Sequence, residues 1–110
     1  MEIITTPTFE KNVKRIAKKD TLLYKDLENL LELLTQNPKS GTPLGNNTFK
    51  IRIKNSSATK GKSGGYRVIS YYASDDFVGL LTIYSKSQRE NIFENEIDAL
   101  LYELSLKVNK

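Results

Sequence analysis

Hydrophobic positions along the chain follow three successive rhythms. Residues 2–6 are short and β-branched and stop at Pro7, which predicts a first strand ending at Thr6. Pro7 suits the first turn of a helix, with Thr6 as its cap. Phe9, Val13, Ile16 and Ala17 then mark one side of that helix, while Lys11, Lys14, Arg15 and Lys18 occupy the others. Asp20-Thr21 restarts the pattern with a capping residue. Leu23, Leu27, Leu30, Leu31 and Leu34 continue it as an apolar stripe to about Gln36, so two helices in an antiparallel hairpin are expected. Asn37 to Gly45, with two prolines and two glycines, reads as a loop.

The period then changes to two. Phe49, Ile51 and Ile53 alternate with Lys50, Arg52 and Lys54, predicting a strand with an apolar core face and a basic outer face. Small and basic residues from Asn55 to Gly65 interrupt it. Tyr66–Tyr72 is the next strand, Ser74-Asp75-Asp76 a turn, and Phe77–Tyr84 a further strand. In that last strand Leu81 and Ile83 should share one face, and Thr82, Tyr84 and Lys86 the other. Phe93, Ile97, Leu100, Leu101, Leu104 and Val108 predict a C-terminal amphipathic helix. The order is β-α-α-β-β-β-α, an α+β pattern with no repeat and no second domain.

Composition narrows the chemistry. The 110 residues contain no His and no Cys, which excludes a disulfide framework, a thiolate zinc site, Ser-His triads and His-based ribonuclease mechanisms. No apolar run is long enough to span a bilayer, and Met1–Pro7 lacks the basic region of a signal peptide, so a cytoplasmic protein without membrane contact is expected. The formal net charge of +4 is unevenly spread. Between Glu32 and Asp75 no carboxylate occurs, whereas Lys39, Lys50, Arg52, Lys54, Lys60, Lys62 and Arg67 do. An acidic frame around a basic middle is the footprint of a polyanion ligand.

Gly61-Lys62-Ser63 imitates the end of a nucleotide-binding phosphate loop. Ser56 stands where that motif needs its first glycine, and a strand follows instead of a helix, so nucleotide hydrolysis is not expected. A basic glycine-containing segment with Lys60 and Lys62 can still approach phosphates. Lys50, Arg52 and Lys54 project from one strand face at about 7 Å intervals, near the phosphate spacing of an extended single strand. Arg67 opens the adjacent strand and Lys86 ends the next. Tyr71, Tyr84 and Tyr72 are aromatic surfaces on which bases can stack.

Phe49–Ile53, Gly61–Ile69 and Leu80–Lys86, with the Asn37-Pro38-x-x-Gly41 segment, resemble the RelE/ParE superfamily of bacterial toxins, nearest its HigB-like branch. The resemblance spans nearly the whole chain. It implies one domain over residues 1–110, in which a largely antiparallel four-stranded sheet packs against the helical hairpin and the C-terminal helix. It further implies a toxin paired with a cognate antitoxin, and an endoribonuclease that cleaves mRNA in the ribosomal A site. Lys50, Arg52, Arg67 and Lys86 fall on the family's catalytic basic positions, and Lys54, Lys60, Lys62, Tyr71, Tyr84 and Arg89 are the candidate RNA contacts. Ser87 stands where an arginine would follow Lys86, and the family's tyrosine aligns near Ile92-Phe93; Arg89 and Tyr84 are the candidates to replace them.

In such a reaction the 2′-hydroxyl attacks the adjacent phosphate. Arg52 and Arg67, permanently charged, suit the phosphate clamp, and Lys50, Lys54 and Lys86 are the candidate proton carriers. Without His or Cys and without acids in the basic stretch, no metal or small-molecule cofactor is expected. Arg67 is expected to be an exposed strand cation, separable from folding by Arg67→Ala, with Tyr66 in the core. The alternatives are a ParE-like, non-enzymatic inhibitor of DNA gyrase and a plain RNA-binding module.

Overall fold

A computed structural model describes residues 1–57 and 64–108. The elements run β1 (Glu2–Thr5), α1 (Pro7–Ala17), α2 (Leu23–Gln36), β2 (Thr42–Gly45), β3 (Thr48–Ile53), β4 (Tyr66–Ser74), β5 (Phe77–Ser85) and α3 (Glu94–Val108). They form an α+β fold with five strands in the order β1-β5-β4-β3-β2, of which β1 and β5 are parallel and the remaining neighbours antiparallel.

Thr6 caps α1 as its sequence predicts. Its Oγ1 accepts the Phe9 N–H at 3.0 Å and donates to the Leu81 carbonyl at 2.7 Å, so the helix start is tied to β5. Asp20 does not cap α2: the helix begins at Leu23 without a side-chain cap, and the buried Asp20 carboxylate serves other partners described below.

The sheet is covered on both faces. Phe9 and Val13 of α1 and Leu23, Leu30 and Leu34 of α2 pack with Ile51, Val68, Val78 and Ile83 on one face. Leu100 and Leu104 of α3 pack with Ile69, Leu81 and Tyr84 on the other. Burial of these two apolar layers is the main stabilising contribution, at roughly 25 cal/mol per Å² of apolar surface.

Two further expectations are corrected. Thr42–Gly45 is not loop but the edge strand β2, giving five strands where four were expected. Pro43 is tolerated there because an edge strand has a free side, and a register shift falls between Pro43 and Gly45. Asn46 and Asn47, at φ 52° and 62°, make the tight turn into β3 in the left-handed geometry that asparagine accepts. The second correction concerns β5. An irregularity opposite Ile69 and Ser70 pairs them with Thr82 and Leu80, skipping Leu81. That extra residue breaks the alternation, so Leu81 faces α3 while Ile83 packs under the helical hairpin, on opposite faces of the sheet.

Candidate nucleic-acid interface

Strand register assembles the basic residues. Arg52 pairs with Arg67, and Arg67 with Tyr84, so these three form one row across β3, β4 and β5 on the α3 side. Lys50 lies two residues from Arg52 along β3, on the same face, and pairs with Ile69. Arg52 is exposed and Lys50 half-buried; Lys54, just beyond the end of β3, is exposed.

Arg67 departs from expectation. Only 3% of its surface is exposed, and its Nη1 donates to the carbonyls of Gly64 at 2.9 Å and Tyr66 at 3.3 Å. No carboxylate pairs with it among the described residues. It is therefore a buried cation held by backbone dipoles, and the expectation of an exposed, fold-neutral side chain fails at this position. A cation without a counter-anion in a sheltered site is poised for an anionic ligand.

Gly64 and Gly65 make that arrangement possible. Gly65 has φ +77°, and a Cβ on it would lie 2.2 Å from the Ile53 carbonyl oxygen. A Cβ on Gly64 would lie 2.4 Å from Cδ of Lys86, whose stem crosses this glycine and whose backbone N–H donates to Gly65 O at 3.0 Å. The exposed Lys86 thus sits beside the residues that hold Arg67.

Tyr84 completes the row with 6% exposure, and its hydroxyl has no hydrogen-bond partner among the described residues. Burial raises its pKa, against the pull of Arg89 and Arg67, so the phenol stays protonated at neutral pH. The Arg89 guanidinium lies 5.2 Å from the Tyr84 ring centroid and 5.8 Å from that of Phe93. Two charge-assisted bonds to Glu96 fix it, one from Nη1 at 2.9 Å, and hold the Glu96 carboxyl below its ordinary pKa. Arg89 therefore reaches the site, but its charge is already matched.

The remaining residues separate. Tyr71 pairs with Thr48 and Gly79, stacks on Phe77 at 6.0 Å and packs beneath α3, four residues or about 13 Å along β4 from Arg67. It does not join the cation row. Tyr72, on the other face, bonds to Asp75. Lys60 and Lys62, and with them the Gly-Lys-Ser segment, lie outside the described residues.

Sequence reasoning missed two acidic anchors. Asp20, buried, accepts hydrogen bonds from Ser57 Oγ, from the Tyr66 hydroxyl at 2.6 Å and from the Leu22 N–H at 3.0 Å. It thereby grips the chain on both sides of residues 58–63. Burial disfavours its charge, but these three donors outweigh that and its pKa lies below the ordinary aspartate value. Burial and the Asp20 carboxylate push the Tyr66 hydroxyl in the opposite direction, well above the ordinary phenol range. Asp26, also buried, accepts the Ser56 N–H at 3.0 Å and the Ser56 hydroxyl. The one signal in the sequence is a pair of acids interrupting the apolar sides of the hairpin, matched by paired serines before the basic segment.

Chemically, this face can hold an anion at Arg52 and Arg67, with Lys50 and Lys86 beside it and a neutral phenol behind. Among the described residues no group of three or more carboxylates converges as a metal site, and no helix is long and apolar enough to cross a membrane. No curated protein matches the chain. The family model of the RelE toxin of the RelE/RelB toxin–antitoxin system matches residues 1–108, nearly the full length over which the five strands, the three helices and the basic row are laid out. The chain belongs to the RelE toxin family.

Proposed function

We propose that this toxin is an mRNA endoribonuclease acting in the ribosomal A site in the cytoplasm, of the HigB-like kind, and silenced by a cognate antitoxin. The observation that supports this reading is the Arg52–Arg67–Tyr84 row flanked by Lys50 and Lys86, whose cations carry no ion pair among the described residues. A substrate phosphate entering the row meets the planar Arg52 fork from solvent and the Arg67 guanidinium from below. Together they neutralise the charge that builds when the 2′-hydroxyl attacks. In this reading Lys50, as the neutral amine, takes the proton of that hydroxyl. Lys86, on the other side of the row, can supply one to the departing 5′-oxygen. The protonated Tyr84 phenol adds a neutral donor in place of the family's usual tyrosine. Attack forms a 2′,3′-cyclic phosphate and releases a 5′-hydroxyl end, with no metal or small-molecule cofactor taking part.

The test is to map mRNA 5′ ends after brief expression, alongside a gyrase supercoiling assay. New 5′ ends inside translated codons with supercoiling intact are the expected result. Inhibited supercoiling without new mRNA ends would overturn the nuclease reading in favour of a gyrase inhibitor. Co-expression of the neighbouring small open reading frame should abolish toxicity and yield a stable complex.

A further inference from the structure

Helix α1 and the turn that follows it carry a second concentration of positive charge. Lys11, Lys14, Arg15, Lys18 and Lys19 are all exposed, and no carboxylate occurs from residue 11 to residue 19. Lys11, Lys14, Arg15 and Lys18 recur at i, i+3, i+4 and i+7, so they share one side of the helix. The first and last are about 10 Å apart along the axis at 1.5 Å per residue. With Pro7 and Glu10 these four line an open groove of about 460 Å³. None of the five cations enters an ion pair among the described residues. Glu10, the one carboxylate in that groove, is taken by the Thr5 hydroxyl and by Lys107 at 2.9 Å, and Lys14 adds only a weaker attraction to it without an ion pair.

The fold does not account for this charge. Phe9 and Val13 already bury the opposite side of α1, so packing holds the helix. A helix dipole favours a cation or two in the last turn. Lys11–Arg15 and Lys14–Lys18, however, are like-charge pairs at i, i+4, which cost helix stability. An external anion would offset that cost. A lipid surface is disfavoured because α1 exposes no large apolar side chain to insert. A flexible single strand is disfavoured because this side of α1 offers no aromatic ring on which bases could stack. A rigid row of cations on a helix fits the fixed phosphates of structured RNA, which proteins grip mainly by backbone and shape.

We propose that the exposed side of α1 binds the phosphate backbone of duplex RNA, as a surface distinct from the Arg52–Arg67–Tyr84 row. Arg15 joins the two: it also lines the roughly 390 Å³ groove shared by Tyr84, Gln88 and Arg89. A duplex on α1 can thus lie alongside a single strand held at the row. The proposal deepens the RNA reading above and rests on it, but its test measures binding and is independent of cleavage.

The variant Lys11→Gln/Lys14→Gln/Lys18→Gln keeps good helix formers at exposed positions and removes like-charge pairs, so its thermal midpoint should match or slightly exceed the parent's. The probes are a blunt 20-base-pair RNA duplex and a separate single-stranded RNA. At 0.15 M salt the triple variant should bind the duplex roughly 100-fold more weakly, with the slope of log affinity against log salt shallower by about 2.7, at about 0.9 per contact. Its affinity for the single strand should stay within twofold, and a triple Lys→Arg variant should retain duplex binding. Arg52→Ala should do the reverse, weakening single-strand binding by one contact's share, roughly fourfold at this salt, and keeping the duplex. Unchanged duplex affinity in the triple glutamine variant would overturn the proposal, as would an equal loss on both probes. Weaker antitoxin capture with duplex binding intact would also overturn it and make α1 a protein-facing surface. Selective loss of duplex binding upholds it even if no mRNA cleavage is found.

Discussion

Arg52 and Arg67 carry the same charge yet meet water differently, and their truncations should part accordingly. Arg52 is exposed on β3, so Arg52→Ala should leave the thermal midpoint within about a degree or two while cutting RNA cleavage ~100–1,000-fold. Arg67 is 3% exposed and bonded to two carbonyls, so Arg67→Ala should lose the same activity and also unfold more readily, by ~1–3 kcal/mol. Arg67→Lys, which keeps the charge without the fork, should recover only part of either. Equal thermal effects of the two alanine variants in calorimetry would contradict the burial of Arg67. Tyr84 gives a complementary case. Its hydroxyl is buried without a partner among the described residues, an arrangement that costs stability in the free protein. Tyr84→Phe should therefore be neutral or stabilising, by up to ~1 kcal/mol, while single-turnover cleavage slows by tenfold or more. Destabilisation without a change in rate would mean that the hydroxyl serves the fold and not the substrate.

At the scale of elements, the helical hairpin holds Ser57 and Tyr66 through Asp20, and that grip should titrate. Its folded pKa is lowered, so its contribution to stability is fully present above the unfolded value near pH 3.9 and is lost as pH falls through the folded value. Asp20→Asn should accordingly cost ~1.5–3 kcal/mol at pH 7 in urea unfolding, and the gap from the parent should close below about pH 4. A gap that does not narrow on acidification would show that Asp20 acts by shape and not by charge. The same elements show what the sequence could and could not convey. The hairpin helices and α3 were legible because each buries a single side, as Leu23, Leu30, Leu34, Leu100 and Leu104 do. Strand β2 was not, because all four of its residues are exposed and Pro43 breaks any alternation. The bulge at Leu81 depends on the partner strand and leaves no mark in its own residues. Within the candidate site, the alternation of β3 puts Lys50 and Arg52 on one face, as the register has them. Burial of Arg67 stays hidden, since the groups that hold it are the backbone carbonyls of Gly64 and Tyr66, which no hydrophobic pattern marks. Asp20 looks like a helix cap in the sequence because its partners Ser57 and Tyr66 lie far along the chain.

Across the whole molecule the charge is segregated. The cations gather on the β3–β5 face and on α1, while Asp26, Glu28 and Glu32 of α2 and Glu94, Glu96, Asp98 and Glu103 of α3 supply much of the acid. A net charge of +4 therefore understates the local potential that a phosphate chain would meet, and steering should exceed what the net charge suggests. Binding free energy from such a face comes largely from released counterions, which makes salt the most direct probe. A single-stranded RNA carrying a 2′-deoxy group at the scissile position can be bound but has no nucleophile, so affinity is measured without cleavage. If Lys50, Arg52, Lys54, Arg67 and Lys86 supply four or five phosphate contacts, log affinity should fall against log salt with a slope of roughly −3, at about −0.7 per contact. Arg52→Ala should shift that slope toward zero by about 0.7, one contact's share, with the same shift for Lys86→Ala. A parent slope near zero would remove this face as the grip on RNA, and a normal slope untouched by either substitution would move the grip elsewhere on the molecule.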